Sequence, residues 1–353
     1  MRQAEHTEDG IFMPDKDLGS KKLSPVTFYY FNLTGTESFC ALLEKRFRES
    51  GHSRPLVFKE WNCYRELPGA DADLIAYDGV VMSALADKGF LKPVPEGLSA
   101  GDVFPWLAGR SMIRRKLYGL PIMMCVNALI CRKKDDRNIR NIMELEENTA
   151  IPMRSMLMFY YLQTVCTNLN IRKSMKVLEH LLDLIGGRDF LEKSRLSDYD
   201  GINRFSREEC AYLLSFTESL RDLPKDDYSV SFANFSAEES DRRPLFMVDY
   251  VSLGKQVPEE KLRDCLDLMK IMVDEQFLYD VCTLDGQLQY LLTANRQVFL
   301  RLAESDQVYA QLFSLLESDQ NGVLRYGKRF YEDFYQHGDI LLQFLWEKAG
   351  WKP

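Results

Sequence analysis

Histidine is scarce in this chain, with four in 353 residues: His6, His52, His180 and His337. They stand far apart, in no triad or metal-ligand spacing. Each is assigned a structural or surface role, which sets aside a histidine-activated nucleophile and a histidine-built metal centre. Paired cysteines are missing too. The eight cysteines (Cys40, Cys63, Cys125, Cys131, Cys166, Cys210, Cys265 and Cys282) include no Cys-x-x-Cys. That excludes a zinc ribbon or a thioredoxin-type motif and points to reduced thiols rather than a disulfide framework. No apolar run is long enough to span a bilayer, so no membrane partner is expected. Residues 1–24 are polar and charged, with no apolar leader core, and read as a disordered tail. A cytoplasmic protein is expected; the alternative is secretion by a non-classical route or a leader already trimmed. Excess positive charge is absent as well. The net charge is -8 and the pI is near 5.3, which excludes nucleic acid as the main partner. The short clusters Arg114-Arg115-Lys116 and Arg132-Lys133-Lys134 read as solvated strand edges.

What is present is an ordinary globular composition, 46% hydrophobic and 28% charged, in a length that suits two lobes. Strands are predicted at Val26–Phe31, Leu56–Trp61 and Ala72–Asp78, with a helix capped by Thr36 between the first two and another from Val80 to Lys88. Helices follow at Ser155–Asn168 and at Ile171–Ile185, the second stopped by Gly186-Gly187. Strands return at Ala211–Phe216, Tyr228–Phe235 and Leu245–Val251. One long helix is then expected from Pro258 to about Tyr279, in a C-terminal third that is mostly helical. This alternation predicts an α/β fold with mainly parallel pairing. Because strands return after a helical middle, the chain is expected to pass between two lobes more than once and leave a central cleft. The expected division is a tail over 1–24, one lobe from 25–125 plus about 245–300, and a second from about 126–244 plus 301–353. A monomer is expected.

Chemistry concentrates at strand ends. Asp78 follows Leu74-Ile75-Ala76-Tyr77, Asp249 follows Leu245-Phe246-Met247-Val248, and Glu218 stands just past Leu213–Thr217. Cys125 lies in an apolar run that a Gly119-Leu120-Pro121 turn opens and that reads as a buried strand. A single acid at a strand end is most often solvated or capping, and a thiol in an apolar strand is most often core filling. Four such positions along one chain make a site at the strand ends the sharper reading. A cysteine nucleophile acts as its thiolate and needs a base. With no histidine at a strand end, a carboxylate such as Glu218 is the candidate.

These residues carry a resemblance. The pieces Trp61-Asn62-Cys63-Tyr64, Ala72–Asp78, Gly89-Phe90-Leu91-Lys92-Pro93, Tyr118-Gly119-Leu120-Pro121 through Cys125 to Arg132-Lys133, Phe216-Thr217-Glu218-Ser219, Pro244-Leu245-Phe246 with Asp249, and Gln289–Phe299 stand in the order of bacterial thiaminase I (thiamine pyridinylase). The chain resembles that family from about Val26 onward, least well over 135–205. The resemblance implies a two-lobed, periplasmic-binding-protein type II-like α/β fold with hinge crossings and a central cleft, and a transferase. In that reading the Cys125 thiolate adds to the pyrimidine of thiamine beside the bridging methylene, the thiazole leaves, and a small amine or thiol takes its place. Glu218 matches the general acid/base. Tyr64, Asp78, Tyr199 and Asp249 match positions lining the substrate cleft, where carboxylates suit a cation and tyrosines stack on a pyrimidine. Tyr29 or Tyr30 matches a further cleft tyrosine. No cofactor is implied, since thiamine itself is the substrate.

Three positions depart from the family: Phe216 and Met247 where tyrosine is common, and Asn62 where aspartate is common. The missing hydroxyls make the cleft more apolar. Three readings therefore stay open: a thiaminase-like enzyme, a thiamine- or pyrimidine-binding protein of the same fold, and a general carbohydrate- or peptide-type solute-binding protein.

Overall fold

The computed structural model describes residues 23–31, 36–146, 149–151, 153–168, 170–184, 199–224, 227–334 and 340. The tail expected over 1–24 therefore lies almost wholly outside the described residues, as do His6, His337 and Gly186-Gly187. In chain order the strands are β1 (Val26–Tyr30), β2 (Leu56–Glu60), β3 (Leu74–Asp78), β4 (Leu91–Lys92), β5 (Met112–Ile113), β6 (Lys116–Leu117), β7 (Leu120–Cys125), β8 (Ala128–Arg132), β9 (Thr149–Ala150), β10 (Tyr212–Ser215), β11 (Tyr228–Phe232), β12 (Leu245–Gly254), β13 (Leu292–Thr293) and β14 (Gly322–Val323). The helices are α1 (Thr36–Glu49), α2 (Met82–Asp87), α3 (Met153–Asn168), α4 (Ile171–Leu184), α5 (Tyr199–Ser206), α6 (Glu259–Met272), α7 (Glu275–Cys282), α8 (Arg296–Ala303) and α9 (Gln307–Leu316).

Two sheets organise the molecule. The larger runs β13-β7-β12-β3-β1-β2, with β4 and β14 attached to β12, and the smaller runs β11-β8-β10-β9. The apolar run through Cys125 is thus two strands in two sheets, broken at Val126-Asn127. The chain crosses between sheets there, and again between β11 and β12. A third passage follows α9, which packs on β11 before β14 rejoins the larger sheet.

Mainly parallel pairing was expected, and the larger sheet is mixed. β1 pairs with β2 and β3 in parallel, but β12 is antiparallel to β3 and β7. The cause is the route of the chain. β12 re-enters from the smaller sheet running the opposite way and inserts between β3 and β7, so both ladders are antiparallel. Every residue of β3 is buried, as expected for a strand covered on both faces. Helix α1 packs on α6 and α7 through Phe39, Leu43 and Phe47, all buried.

Two helix boundaries also differ from expectation. The segment from Pro258 to Tyr279 is two helices. Val273 and Asp274 leave the helical conformation, and the Asp274 carboxylate accepts a hydrogen bond from Phe277 N, 3.0 Å, opening α7. A new cap beats continuation because it satisfies an orphan amide of the new helix. Thr36 is the first helical residue of α1 rather than the residue before it.

Candidate active site

β3 and β7 both run antiparallel to β12, so they point the same way and finish at one edge of the larger sheet, where the chain leaves for the smaller one. Asp78 ends β3 and Cys125 ends β7. Across the ladders, Asp249 of β12 stands opposite Asp78, and Met247 stands opposite Cys125. One edge therefore carries a thiol and two carboxyl groups.

Glu218 comes from the other sheet. β8 and β10 are antiparallel, and their last registered pair is Ala128 with Ser215. Cys125 lies three residues before Ala128 and Glu218 three residues after Ser215. Both residues therefore leave the ladder at the same end. The chain there winds into a 3₁₀ turn over Thr217–Arg221, which keeps Glu218 half-buried at the crossover. The two side chains interact: Glu218 raises the proton affinity of the thiol.

The electrostatics follow from burial among like charges. The Cys125 thiol is pushed well above its ordinary value, first by desolvation and then by Glu218, Asp249 and Asp78, against a hydrogen bond from the Val126 backbone N–H. Asp249 is held well above the carboxylate range by burial, then by Asp78 and Glu218. Asp78 is 2% exposed and is raised to about 6 by burial, although the Tyr64 hydroxyl (2.6 Å) and Val80 N (2.8 Å) donate to its two oxygens. At neutral pH the resting thiol is protonated. A cation entering among these groups reverses their mutual repulsion and favours ionisation of each. Among the described residues, no group of three or more histidine, cysteine, aspartate or glutamate side chains is arranged to hold a metal ion.

No family model matches the chain. Thiaminase-1 of Paenibacillus thiaminolyticus is 24% identical to it over 314 residues, 77% of this chain and 76% of that one. The chain is similar to thiaminase I. Among solved structures, Clostridium botulinum thiaminase I in complex with thiamin superposes with a TM-score of 0.77 at 18% identity, covering 91% of this chain and 99% of that one. The Thermus thermophilus maltotriose-binding protein bound with maltotriose superposes at 0.60 with 15% identity, covering 90% and 93%. The fold is accordingly the two-lobed, type II periplasmic-binding-protein-like fold that the resemblance implied.

The residues that the likeness to thiaminase I singles out are distributed unevenly. Cys125, Glu218, Asp78, Asp249 and Tyr64 gather at the crossover edge. Tyr64 is fully buried, its ring edge-on to Phe31 at 4.8 Å. Tyr30 ends β1 beside Ala76 of β3, on the strand face of Phe28. Tyr29 turns elsewhere: its hydroxyl donates to Asp71, 2.9 Å, in an exposed pair that Lys59 joins. Tyr199 begins α5, and its side chain lies outside the described residues. Asn62, which replaces a common aspartate, closes a local turn by accepting from Tyr64 N, 3.1 Å. His52 sits against Asp264, 2.7 Å, stacked on Phe47 at 4.3 Å, and His180 bonds the Ile142 carbonyl; both are structural.

Two features escaped sequence reasoning. Cys63, not among the candidate site residues, is buried beside Asp78 and Asp249, with the Asp78 backbone N–H bonded to it. Phe330 and Phe334 wall Tyr64 at 6.2 and 6.5 Å, and the Tyr331 hydroxyl donates to the Cys63 carbonyl. No local signal marks residues 330–334, because their partners lie more than 260 positions away.

Proposed function

We propose that this chain is a thiaminase I-like transferase that cleaves thiamine or a close analogue. The observation that carries the reading is the electrostatic interaction of the Cys125 thiol with Glu218, Asp249 and Asp78, which gathers one thiol and three carboxyl groups at the crossover. Likeness to thiaminase I over most of both chains supports it. A positively charged thiazolium fits a cleft of three carboxyl groups, and its arrival lowers the proton affinity of the thiol. Glu218 takes the thiol proton. The thiolate adds to the pyrimidine ring carbon beside the bridging methylene, the bond from methylene to thiazole nitrogen breaks, and its electron pair leaves with the thiazole. An amine or thiol then bonds to the methylene carbon, the ring expels the sulfur, and Glu218 returns the proton to Cys125. The proton of the nucleophile departs through the same carboxylate. This route uses no cofactor.

The test is incubation with thiamine and pyridine or aniline, with products and intact protein followed by mass spectrometry. Thiazole release, a base-exchanged pyrimidine and a pyrimidine adduct on Cys125 are expected. Cys125→Ser should lower turnover by at least about a thousandfold, the scale of losing a nucleophile. Absence of turnover and of adduct over a wide panel of nucleophiles and analogues overturns the reading.

One observation favours a second reading. Met247, 2% exposed, stands directly across from Cys125, and Phe216 opens the turn of Glu218, so the pair has apolar neighbours where tyrosine is common in thiaminase I. A non-catalytic thiamine- or pyrimidine-binding protein would show calorimetric binding that Cys125→Ala leaves unchanged, with no turnover.

A further inference from the structure

Nucleophile and base reach the site from different sheets, so something must hold the sheets in register at that point. Glu218 shares its 3₁₀ turn with Arg221. The Arg221 Nη1 donates to Gln289 Oε1 at 2.9 Å. Its Nε lies 3.4 Å from Asp222, a neighbour on its own turn. Gln289 belongs to the other side. Its backbone N–H bonds the Cys282 carbonyl at the end of α7 (2.9 Å), and its Nε2 bonds the Gln287 carbonyl (2.9 Å). Three residues on, Leu292 of β13 pairs with Met124, the neighbour of Cys125. The intervening Tyr290 stacks on Tyr309 at 5.4 Å, which stiffens the approach. The covalent path from Gln289 to β13, the ladder from β13 to β7 and the bond back to the Glu218 turn close a loop around the reacting pair. Arg221, Gln289 and Leu291 also line a small cavity with Ser38 and Phe39 of α1, so this exposed bond spans the seam between the two sides.

We propose that Arg221, by bonding Gln289, is a positioning residue that sets Glu218 at its working distance from Cys125. The proposal rests on the thiaminase-like reading for its use, and on geometry alone for the latch. The rest of the turn is held from within its own side: Leu220 and Leu223 are buried, and Ser215 and Ser219 share a hydroxyl hydrogen bond. Loss of the latch therefore displaces the turn slightly and does not unfold it. A displacement under an ångström is enough to slow proton transfer.

The test is a mutant cycle with two readouts. Arg221→Ala and Gln289→Ala should each lower kcat about five- to tenfold with KM nearly unchanged, and the double variant should be no slower than either alone. Gln289→Glu, which replaces the acceptor with a carboxylate, should retain the rate. The second readout is alkylation of Cys125 by iodoacetamide against pH, quantified on its peptide. Glu218, Asp249 and Asp78 all oppose thiolate formation. With Glu218 displaced, the alkylation midpoint should move to lower pH in Arg221→Ala, in the direction of Glu218→Gln and by less, while turnover falls. Loosening that admits water to the thiol would also lower the midpoint, because burial is its largest cause; unchanged alkylation of the buried Cys63 and Cys166 in the same variant separates a displaced Glu218 from a loosened protein. If the wild type alkylates as described but cleaves no thiamine, the enzymatic reading fails and the latch stands on the alkylation shift. Additive losses in the double variant, or an unmoved alkylation midpoint, overturn the latch.

Discussion

Asp78 and Asp249 face each other across one ladder, yet their surroundings differ, and the difference has measurable consequences. Asp78 is bonded by Tyr64 and Val80 and ionises near 6; Asp249 is held well above the carboxylate range by burial, Asp78 and Glu218. If a cationic substrate binds against Asp78, kcat/KM falls as pH drops below about 6, since the protonated carboxyl no longer attracts it. Tyr64→Phe removes a donor that favours the carboxylate, so this acidic limb should move to higher pH, checked by a pH profile of kcat/KM beside the wild type. Stability follows with a definite sign. A buried carboxyl whose folded value exceeds its unfolded one contributes fully below the unfolded value and loses that contribution as pH rises through the folded one. For Asp78 a rise from 3.8 to about 6 corresponds to about 3 kcal/mol lost over that window. Asp249→Asn keeps the shape and removes the ionisable group. It should raise Tm, more at pH 7.5 than at pH 5, while impairing any activity that needs the carboxylate. A Tm gain independent of pH would show that Asp249 is not held above its unfolded value.

At the scale of elements, strand ends were legible and strand partners were not. Alternation and turn residues are local, so Asp78, Cys125 and Asp249 could be read as strand positions from a few neighbours each. The pairing of β8 with β10 joins residues more than 80 apart, and it brings the segments that carry Cys125 and Glu218 to one end of the ladder. The strand-end pattern offers Glu218 as a candidate base, and the resemblance pairs it with Cys125. The break at Val126-Asn127 was missed for a related reason: no glycine or proline marks it, and the apolar run continues through Val126 and Ala128. Asn127 is fully buried there, and its carbonyl accepts the Ala233 N–H, so the crossing is tied to the end of β11 by a contact that composition does not announce. The break between α6 and α7 was missed because helical periodicity runs through it. Asp274 is the deciding residue, and Asp274→Ala should cost about 1 kcal/mol, the usual value of a lost cap, read as a fall in the denaturant midpoint. Turnover should be unaffected, because α7 borders the seam at Cys282 and its other end carries the cap.

On the scale of the whole molecule, charge and topology act together. The net charge of -8 was weak evidence taken alone, since an acidic surface is common. It gains meaning from where three of the carboxyl groups lie: at the edge where two sheets exchange the chain, under low-dielectric walls that focus their field. Passing the chain repeatedly between sheets gathers residues as distant as Asp78 and Asp249 at one edge, and it leaves Cys125 and Glu218 on opposite sides of a seam. On the proposed function, a cation approaching this acidic edge is attracted from beyond contact range, and that part of the attraction is open to salt. Between about 0.01 M and about 1 M ionic strength the screening length falls from about 30 Å to about 3 Å. For a cationic thiamine, kcat/KM should therefore fall several-fold over that range. The value of kcat should hold, because once bound the cation sits among buried groups that mobile ions do not reach. An analogue whose thiazolium is replaced by a neutral ring should show no slope. Steady-state kinetics of both substrates across the salt series make the comparison. A common slope for the charged and neutral substrates would mean that the acidic edge does not guide the ligand, and would remove charge complementarity from the case for a cationic substrate.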